Sequence, residues 1–377
     1  MQDRSPRGFP NSTETGSSDS RRDLSKIRIL EFGDYFYFKM VYPERTTLIW
    51  TGRRPLNELP PGSELDCTLR SFWKMLKDLR RGQYDLVVVY GSHHAPWHPR
   101  QWLRSLLRTP WRPLTAGLRV FGVQFLRFFR IDQPLIAIDM ADSFGINRHN
   151  FFLLDKANIY FKRELPVDRW HVLYKTAHPN LPTQRIRRSK KWQRRLSRLR
   201  PISIGVEDIS LPEFADRFPE KTSDVFFVGS LDNSWVRCLG AEELRSLAAK
   251  GYRIDIPTGR LDREEYIRRM SQAWLAWSPA GFGWECFRHY EAPQCWTVPV
   301  INYPTILRFK PLEDGVHAFF YGPEPGALSR TIGAALLDKD RLKQMASAAR
   351  HFVLSNHTYA AHCDAVIAAA FEQSTWA

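Results

Sequence analysis

Acidic residues are in short supply: 40 Asp and Glu stand against 55 Lys and Arg, a formal charge of +15. That surplus calls for an anionic partner, whether nucleic acid, anionic lipid or a phosphorylated substrate, and composition alone does not choose. Cysteine is scarce too. The five, Cys67, Cys238, Cys286, Cys295 and Cys363, are scattered, odd in number and contain no CxxC pair. This argues against a disulfide framework and a zinc site and fits a reducing compartment. There is no uninterrupted apolar run of the roughly 18 residues a transmembrane helix needs. The opening MQDRSPRGFPNSTETGSSDSRRD has no apolar core of a secretory signal. A cytoplasmic protein is expected, with any membrane contact peripheral and on the inner face. Asp139-Met140-Ala141-Asp142 is not a DxD motif, and no His, Cys and carboxylate set has ligand spacing. No metal and no cofactor are expected.

What is present is ample apolar surface. A hydrophobic fraction of 43% with 13% aromatics excludes a mainly disordered chain, and 377 residues leave room for two domains. Residues 1–25 are rich in Ser, Asp, Arg and Gly without periodicity and read as a disordered tail. From there strands and helices alternate. Lys26 to Phe32, Leu48 to Trp50, Tyr84 to Tyr90, Leu135 to Ile138, Tyr160 to Lys162 and Ile202 to Val206 are the expected strands, and Leu69 to Arg80 has helical spacing. The run Leu86-Val87-Val88-Val89 is apolar on both faces, as a central parallel strand requires. The rhythm restarts at Asp224-Val225-Phe226-Phe227-Val228-Gly229. Helices are expected over 241–250, 263–272 and 285–296, strands over 252–256, 273–277 and 298–301, and two closing helices over 338–373. The class is α/β: two consecutive Rossmann-like, doubly wound domains, 26–205 and 206–377.

The most informative stretch runs from Trp277-Ser278-Pro279-Ala280-Gly281-Phe282-Gly283 through Arg288 and Glu291 to Val298-Pro299-Val300-Ile301. It reads as strand, Gly-containing loop, helix, strand. Gly281 and Gly283 would let backbone amides approach a ligand closely, and the helix that follows would aim its N-terminal N–H groups at phosphate oxygens. Arg288 and Glu291, three apart, share a helix face; one can neutralise a diphosphate while the other accepts hydrogen bonds from ribose hydroxyls.

This pattern resembles the C-terminal donor-binding domain of GT-B glycosyltransferases, nearest to the group-1-like and exostosin-like ones. The resemblance covers about residues 224–370. It implies a GT-B fold facing a central cleft, a nucleoside diphosphate sugar as donor, and nucleotide contacts from Arg288 and Glu291. Ser278, in the SP that opens the pattern, belongs to the same donor set. The chain departs from the retaining members, which carry two glutamates eight positions apart, because Gly283 stands eight before Glu291 and Glu285 is out of register. The resemblance also places Gly229-Ser230 and Arg237 at the diphosphate; Thr258-Gly259-Arg260, which follows the next strand, could flank the base.

In the first half, His93 and His94 follow the Leu86–Val89 strand, and Asp139 and Asp142 follow the Leu135 strand. A histidine at a strand's C-terminal end can serve as general base for a sugar hydroxyl; His93, His94 and Asp142 are the candidate catalytic residues. From Leu86 to Ile131 there is no acid, while arginines interleave with tryptophan, leucine and phenylalanine. The run Arg185 to Arg200 has nine basic residues and no acid, and places Trp192, Leu196 and Leu199 on one face. Arg187, Arg188, Lys190, Lys191, Trp192, Arg194 and Arg195 are the expected contacts to an anionic membrane. The alternative for every such run is a solvated face packing its stripe on the core. The function expected is transfer of a sugar to a hydroxyl of a glycan or lipid-linked acceptor. A catalytically degenerate binding protein and a basic nucleic-acid binder are the alternatives, the latter set aside because no nucleic-acid module is recognised.

Overall fold

The computed structural model describes residues 23–52, 68–92, 99–108, 121–173, 189–209 and 217–372. The first domain is built on a six-stranded sheet of order β2-β1-β3-β4-β5-β6. Its strands are β1 (Ile29–Gly33), β2 (Thr46–Trp50), β3 (Leu86–Tyr90), β4 (Leu135–Asp139), β5 (Ile159–Lys162) and β6 (Leu199–Pro201). Every pairing is parallel. β1, β3, β4 and β5 are buried along their whole length; β3 accordingly reads as a continuous apolar run, while β1, β4 and β5 bury Glu31, Asp139 and Lys162 among their apolar residues. The helices among them are α1 (Tyr37–Val41), α2 (Leu69–Arg80), α3 (Pro99–Arg108), α4 (Phe151–Lys156) and α5 (Lys190–Ser197). Thr68 and Ser71 close the first turn of α2 reciprocally: the Thr68 hydroxyl accepts from the Ser71 amide and the Ser71 hydroxyl from the Thr68 amide.

The second domain has a five-stranded parallel sheet of order β11-β10-β9-β7-β8. The strands are β7 (Ser223–Phe226), β8 (Ile254–Asp255), β9 (Ala273–Trp277), β10 (Val298–Asn302) and β11 (Phe319–Tyr321). The helices are α6 (Trp235–Ala249), α7 (Arg263–Ser271), α8 (Arg288–Gln294), α9 (Ala327–Ala335), α10 (Lys339–Asn356) and α11 (Tyr359–Glu372). In each sheet the order reverses once, between β1 and β3 and between β7 and β9, so two topological switch points exist for ligands.

Among the elements that differ from expectation, three bear on how the two domains meet. Ile202 to Val206 is not a strand; β6 ends at Pro201, and Val206 makes a single bridge to Thr358. The helix expected over 285–296 is only Arg288–Gln294, because the residues before it form the loop that meets the first domain. The last helix, α11, packs against α1 and β4 of the first domain. Its Cys363, Val366, Ile367 and Ala370 share a core cluster with Ile29, Val88 and Ile138.

Candidate functional site

The C-terminal ends of β7 and β8 border a cavity of about 450 Å³, lined by Val228 to Ser230, Pro257 to Leu261 and Tyr266 of α7. Gly229, Ser230 and Arg260, three of the expected donor residues, are therefore at its wall. Pro257, Leu261 and Tyr266 were not anticipated.

Arg237 and Arg288 converge beside it. Arg237, on the first turn of α6, donates from Nη1 to the Ser230 carbonyl at 2.9 Å and from Nε to the Ala280 carbonyl at 3.1 Å. It thus spans the β7/β9 switch point. Arg288 donates to the Val228 carbonyl and lies over the Phe227 ring. Both guanidiniums are buried, and among the described residues neither is ion-paired with a carboxylate. Nε of Arg288 has no hydrogen-bond partner among the described residues. Burial, with the Arg288 charge beside it, lowers the Arg237 pKa. Two like charges withdrawn from water without a counter-charge are costly; an anion placed between them would supply what the fold leaves out.

Glu291, one turn along α8 from Arg288, accepts from Arg263 Nη1 and from the Tyr266 hydroxyl, each at 2.7 Å. Both partners sit on α7, whose N-terminus is capped by the Asp262 carboxylate accepting from the Glu265 amide. The carboxylate is oriented toward the cavity wall at Tyr266 and keeps lone pairs beyond these two bonds.

Ser278, expected at the donor, is fully enclosed. It pairs with Nδ1 of His289 at 2.7 Å, and His289 Nε2 meets the Trp284 carbonyl at 3.0 Å. Burial drops the His289 pKa to about 3, so the ring is neutral: Nε2–H donates to the carbonyl and Nδ1 accepts from the Ser278 hydroxyl. Ser278 supports the loop from behind, its hydroxyl committed to His289.

The glycines also act differently from expectation. A Cβ on Gly281 would stand 2.8 Å from Arg237 Nη2, and one on Gly283 would stand 2.5 Å from Glu164 Oε1. They make room for side chains of the protein. Glu164, just past β5 of the first domain, accepts from the backbone amides of Trp284 at 3.0 Å and Glu285 at 2.9 Å. The amides expected to bind phosphate hold this carboxylate instead. Beside it Glu285 is buried, accepts from the Tyr290 hydroxyl at 2.5 Å and has no partner for Oε2. Burial pushes its pKa up to about 8, so at neutral pH it is a carboxylic acid. Arg163, Glu164, Glu285 and Tyr290 form the seam where the C-terminal edges of the two sheets meet. A bridge between Pro166 and Ile306 continues it.

Across the seam, Asp142 is exposed and paired with Arg163. Asp139 is buried, held by Lys162 at 3.2 Å and the Tyr160 hydroxyl at 3.0 Å, and serves the core. His93 and His94 lie outside the described residues. The Ser92 carbonyl just before them accepts from the Asn150 amide at 3.0 Å and contacts His149 Nε2 at 2.8 Å.

The expected membrane helix turns its stripe inward. Trp192 packs on Phe151 and under the Arg195 guanidinium, and Leu196 and Leu199 belong to the core. Arg195 is buried in a bidentate pair with Asp155, one bond at 2.7 Å. Trp192 and Arg195 are thus committed to the fold, because the stripe completes the core over α4. Lys190, Lys191 and Arg194 remain exposed; Arg187 and Arg188 lie outside the described residues. A second cavity, of about 390 Å³, opens beneath α2 among Arg28, Thr47 and Tyr84, at the opposite strand ends from the site. Among the described residues no group of three or more His, Cys, Asp and Glu could hold a metal ion, and no helix is long and apolar enough to cross a membrane.

No family model and no curated protein matches the chain. Solved structures do. A glycosyltransferase from Rickettsia africae ESF-5 superposes with a TM-score of 0.54 at 12% identity, over 92% of this chain and 98% of that one. Sucrose-phosphate synthase from Thermosynechococcus elongatus gives 0.49 at 11% identity, over 93% and 100%. Anabaena HepE in complex with UDP and glucose gives 0.48 at 13%, over 91% and 99%. Two all-parallel sheets that meet along their C-terminal edges, together with the Rickettsia likeness, establish a two-domain, Rossmann-like GT-B fold.

Proposed function

We propose that the chain is a glycosyltransferase whose donor, a nucleoside diphosphate sugar, occupies the second-domain cavity. The observation that carries this is the convergence of two buried guanidiniums, Arg237 and Arg288, without a carboxylate partner among the described residues, beside a cavity walled by strand-end loops. The base and ribose would lie toward Pro257–Leu261 and Tyr266, with Glu291 accepting from ribose hydroxyls and the diphosphate between the arginines. The acceptor hydroxyl, on a glycan or a lipid-linked sugar, would enter from the first domain. Its oxygen attacks the anomeric carbon as the bond from that carbon to the diphosphate oxygen breaks, and its proton passes to a base, for which His93, His94 and Asp142 are the candidates. Two guanidiniums can stabilise the leaving diphosphate, so the transfer is proposed to need no metal. The described cysteines are all free, which supports a reducing, cytoplasmic setting.

A thermal-shift and calorimetric screen of nucleoside diphosphates tests the reading. A ligand at 100 times its Kd adds roughly 2.7 kcal/mol of stability; no shift with any nucleotide removes the donor assignment. Because Glu164 already holds the loop amides, a second reading keeps the cavity as a binding site without transfer. Nucleotide binding with no hydrolysis or transfer from any nucleotide sugar would favour it.

A further inference from the structure

Two outward helix faces of the first domain carry large apolar side chains that no described residue covers. On α2 the buried positions are Phe72, Met75, Leu76 and Leu79, while Leu69 and Trp73, one turn apart, are 40% and 61% exposed. Around them Arg70, Lys74, Lys77 and Arg80 also face solvent. On α3, Leu103, Leu106 and Leu107 are exposed, Leu107 by 71%, and Arg100 stands at the helix start, exposed. The two helices are backed by one aromatic ladder. Trp102 packs on Phe121 at 5.3 Å, Phe121 on Phe125 at 5.7 Å, and Phe125 on Phe72 of α2 at 5.4 Å. Phe128, on the same 3-10 turn as Phe125, is 81% exposed.

Charge decides the occupant. Residues 86–131 contain no acid, and the outward positions of α2 are basic apart from Leu69 and Trp73, with Asp78 half-buried at the side. A partner must accept leucine and aromatic side chains and present negative charge around them; a leaflet of anionic lipid does both. We infer that the α2–α3 face docks the protein on an anionic lipid surface. α5 is not the anchor, since its stripe is spent on the core. The docking stands apart from the donor reading. If that reading also holds, the acceptor is lipid-linked, since α3 follows the C-terminal end of β3, which borders the interdomain seam.

Flotation of the full chain with phosphatidylcholine vesicles and with mixed phosphatidylcholine–phosphatidylglycerol vesicles tests it. Binding is expected to the mixed vesicles only, and salt should release it. Lys74→Gln with Lys77→Gln should lower partition about 30-fold, from two cations at ~1 kcal/mol each. Trp73→Ser with Leu107→Ser should abolish flotation even at low salt, and the control Lys190→Gln, Lys191→Gln, Arg194→Gln should float like wild type. Melting curves and nucleotide-induced shifts, run on every variant, keep misfolding and failure of the donor reading separate. No flotation of the wild type, loss confined to the α5 control, or full binding by the Trp73/Leu107 variant each overturns the inference. So would retention on polynucleotide, or a dimer formed through this face, in place of lipid binding.

Discussion

The meeting of Gly283 with Glu164 makes a quantitative demand. Gly283 is buried, and a methyl group there would stand 2.5 Å from Glu164 Oε1 and 2.7 Å from its Cδ. The carboxylate has nowhere to retreat without breaking its bonds to the Trp284 and Glu285 amides, because it is itself fully enclosed. Hydrogen bonds to a charged group are worth about 1.5–3 kcal/mol each. Gly283→Ala should therefore cost about 2–4 kcal/mol, lowering the melting midpoint by roughly 5–10 °C. In a Glu164→Ala background the methyl group enters vacated space, and the same substitution should cost less than about 1 kcal/mol. The four proteins form a double-mutant cycle read by denaturant or thermal unfolding. Equal costs of Gly283→Ala on both backgrounds would refute the interdomain contact as the cause.

Three further outcomes are expected. Arg237→Ala and Arg288→Ala should each weaken nucleoside diphosphate binding by roughly 10- to 100-fold while the protein stays folded; calorimetry showing wild-type affinity in both would remove them from the site. Donor binding and transfer should survive excess chelator, and activity abolished by EDTA and restored by manganese or magnesium would contradict the guanidinium assignment. Glu285, with its pKa raised to about 8 by burial, binds a proton in the folded state that the unfolded chain releases near pH 4.5. Its stabilising share is full below pH 4.5 and is lost as pH rises toward 8. The melting-point advantage of Glu285→Gln over wild type should therefore grow across that window, and a pH-independent difference would show that Glu285 does not titrate there.

The strands were the most legible part of the chain, for a physical reason. β3 and β4 are covered on both faces, so burial writes itself as an unbroken apolar run, and α2 alternates buried and exposed positions at helical spacing. β11 is three residues of an edge strand, too short to carry a period. α11 is apolar enough to be recognised as a helix, but nothing local says that its partner is α1, more than 300 positions away in the chain. Asp142, Trp192 and Arg195 show no partner in the local sequence. Their partners Arg163, Phe151 and Asp155 lie 21 to 41 residues off, and only the fold brings them together. Glu164 is the extreme case, 120 residues from the amide it binds.

That long-range contact changes what the glycine-rich loop is for. Read locally, two glycines before a helix suggest bare amides waiting for phosphate. In the fold, Gly281 admits Arg237 and Gly283 admits Glu164, while Gly240 on α6 leaves room for the indole of Trp277. The loop amides of residues 284 and 285 are neutralised from the first domain, and the positive charge of the site comes from side chains, Arg237 and Arg288, tethered to carbonyls after β7 and β9. A guanidinium fixed by neutral carbonyls keeps its full charge for an incoming anion, whereas one paired with a carboxylate would not. The carboxylates Glu164 and Glu285 stand at the domain seam, and Glu291 is held by Arg263 and Tyr266 of α7. Attraction for a diphosphate therefore depends on keeping these carboxylates bound to partners other than Arg237 and Arg288, and the two domains must be in register for Glu164 to do so.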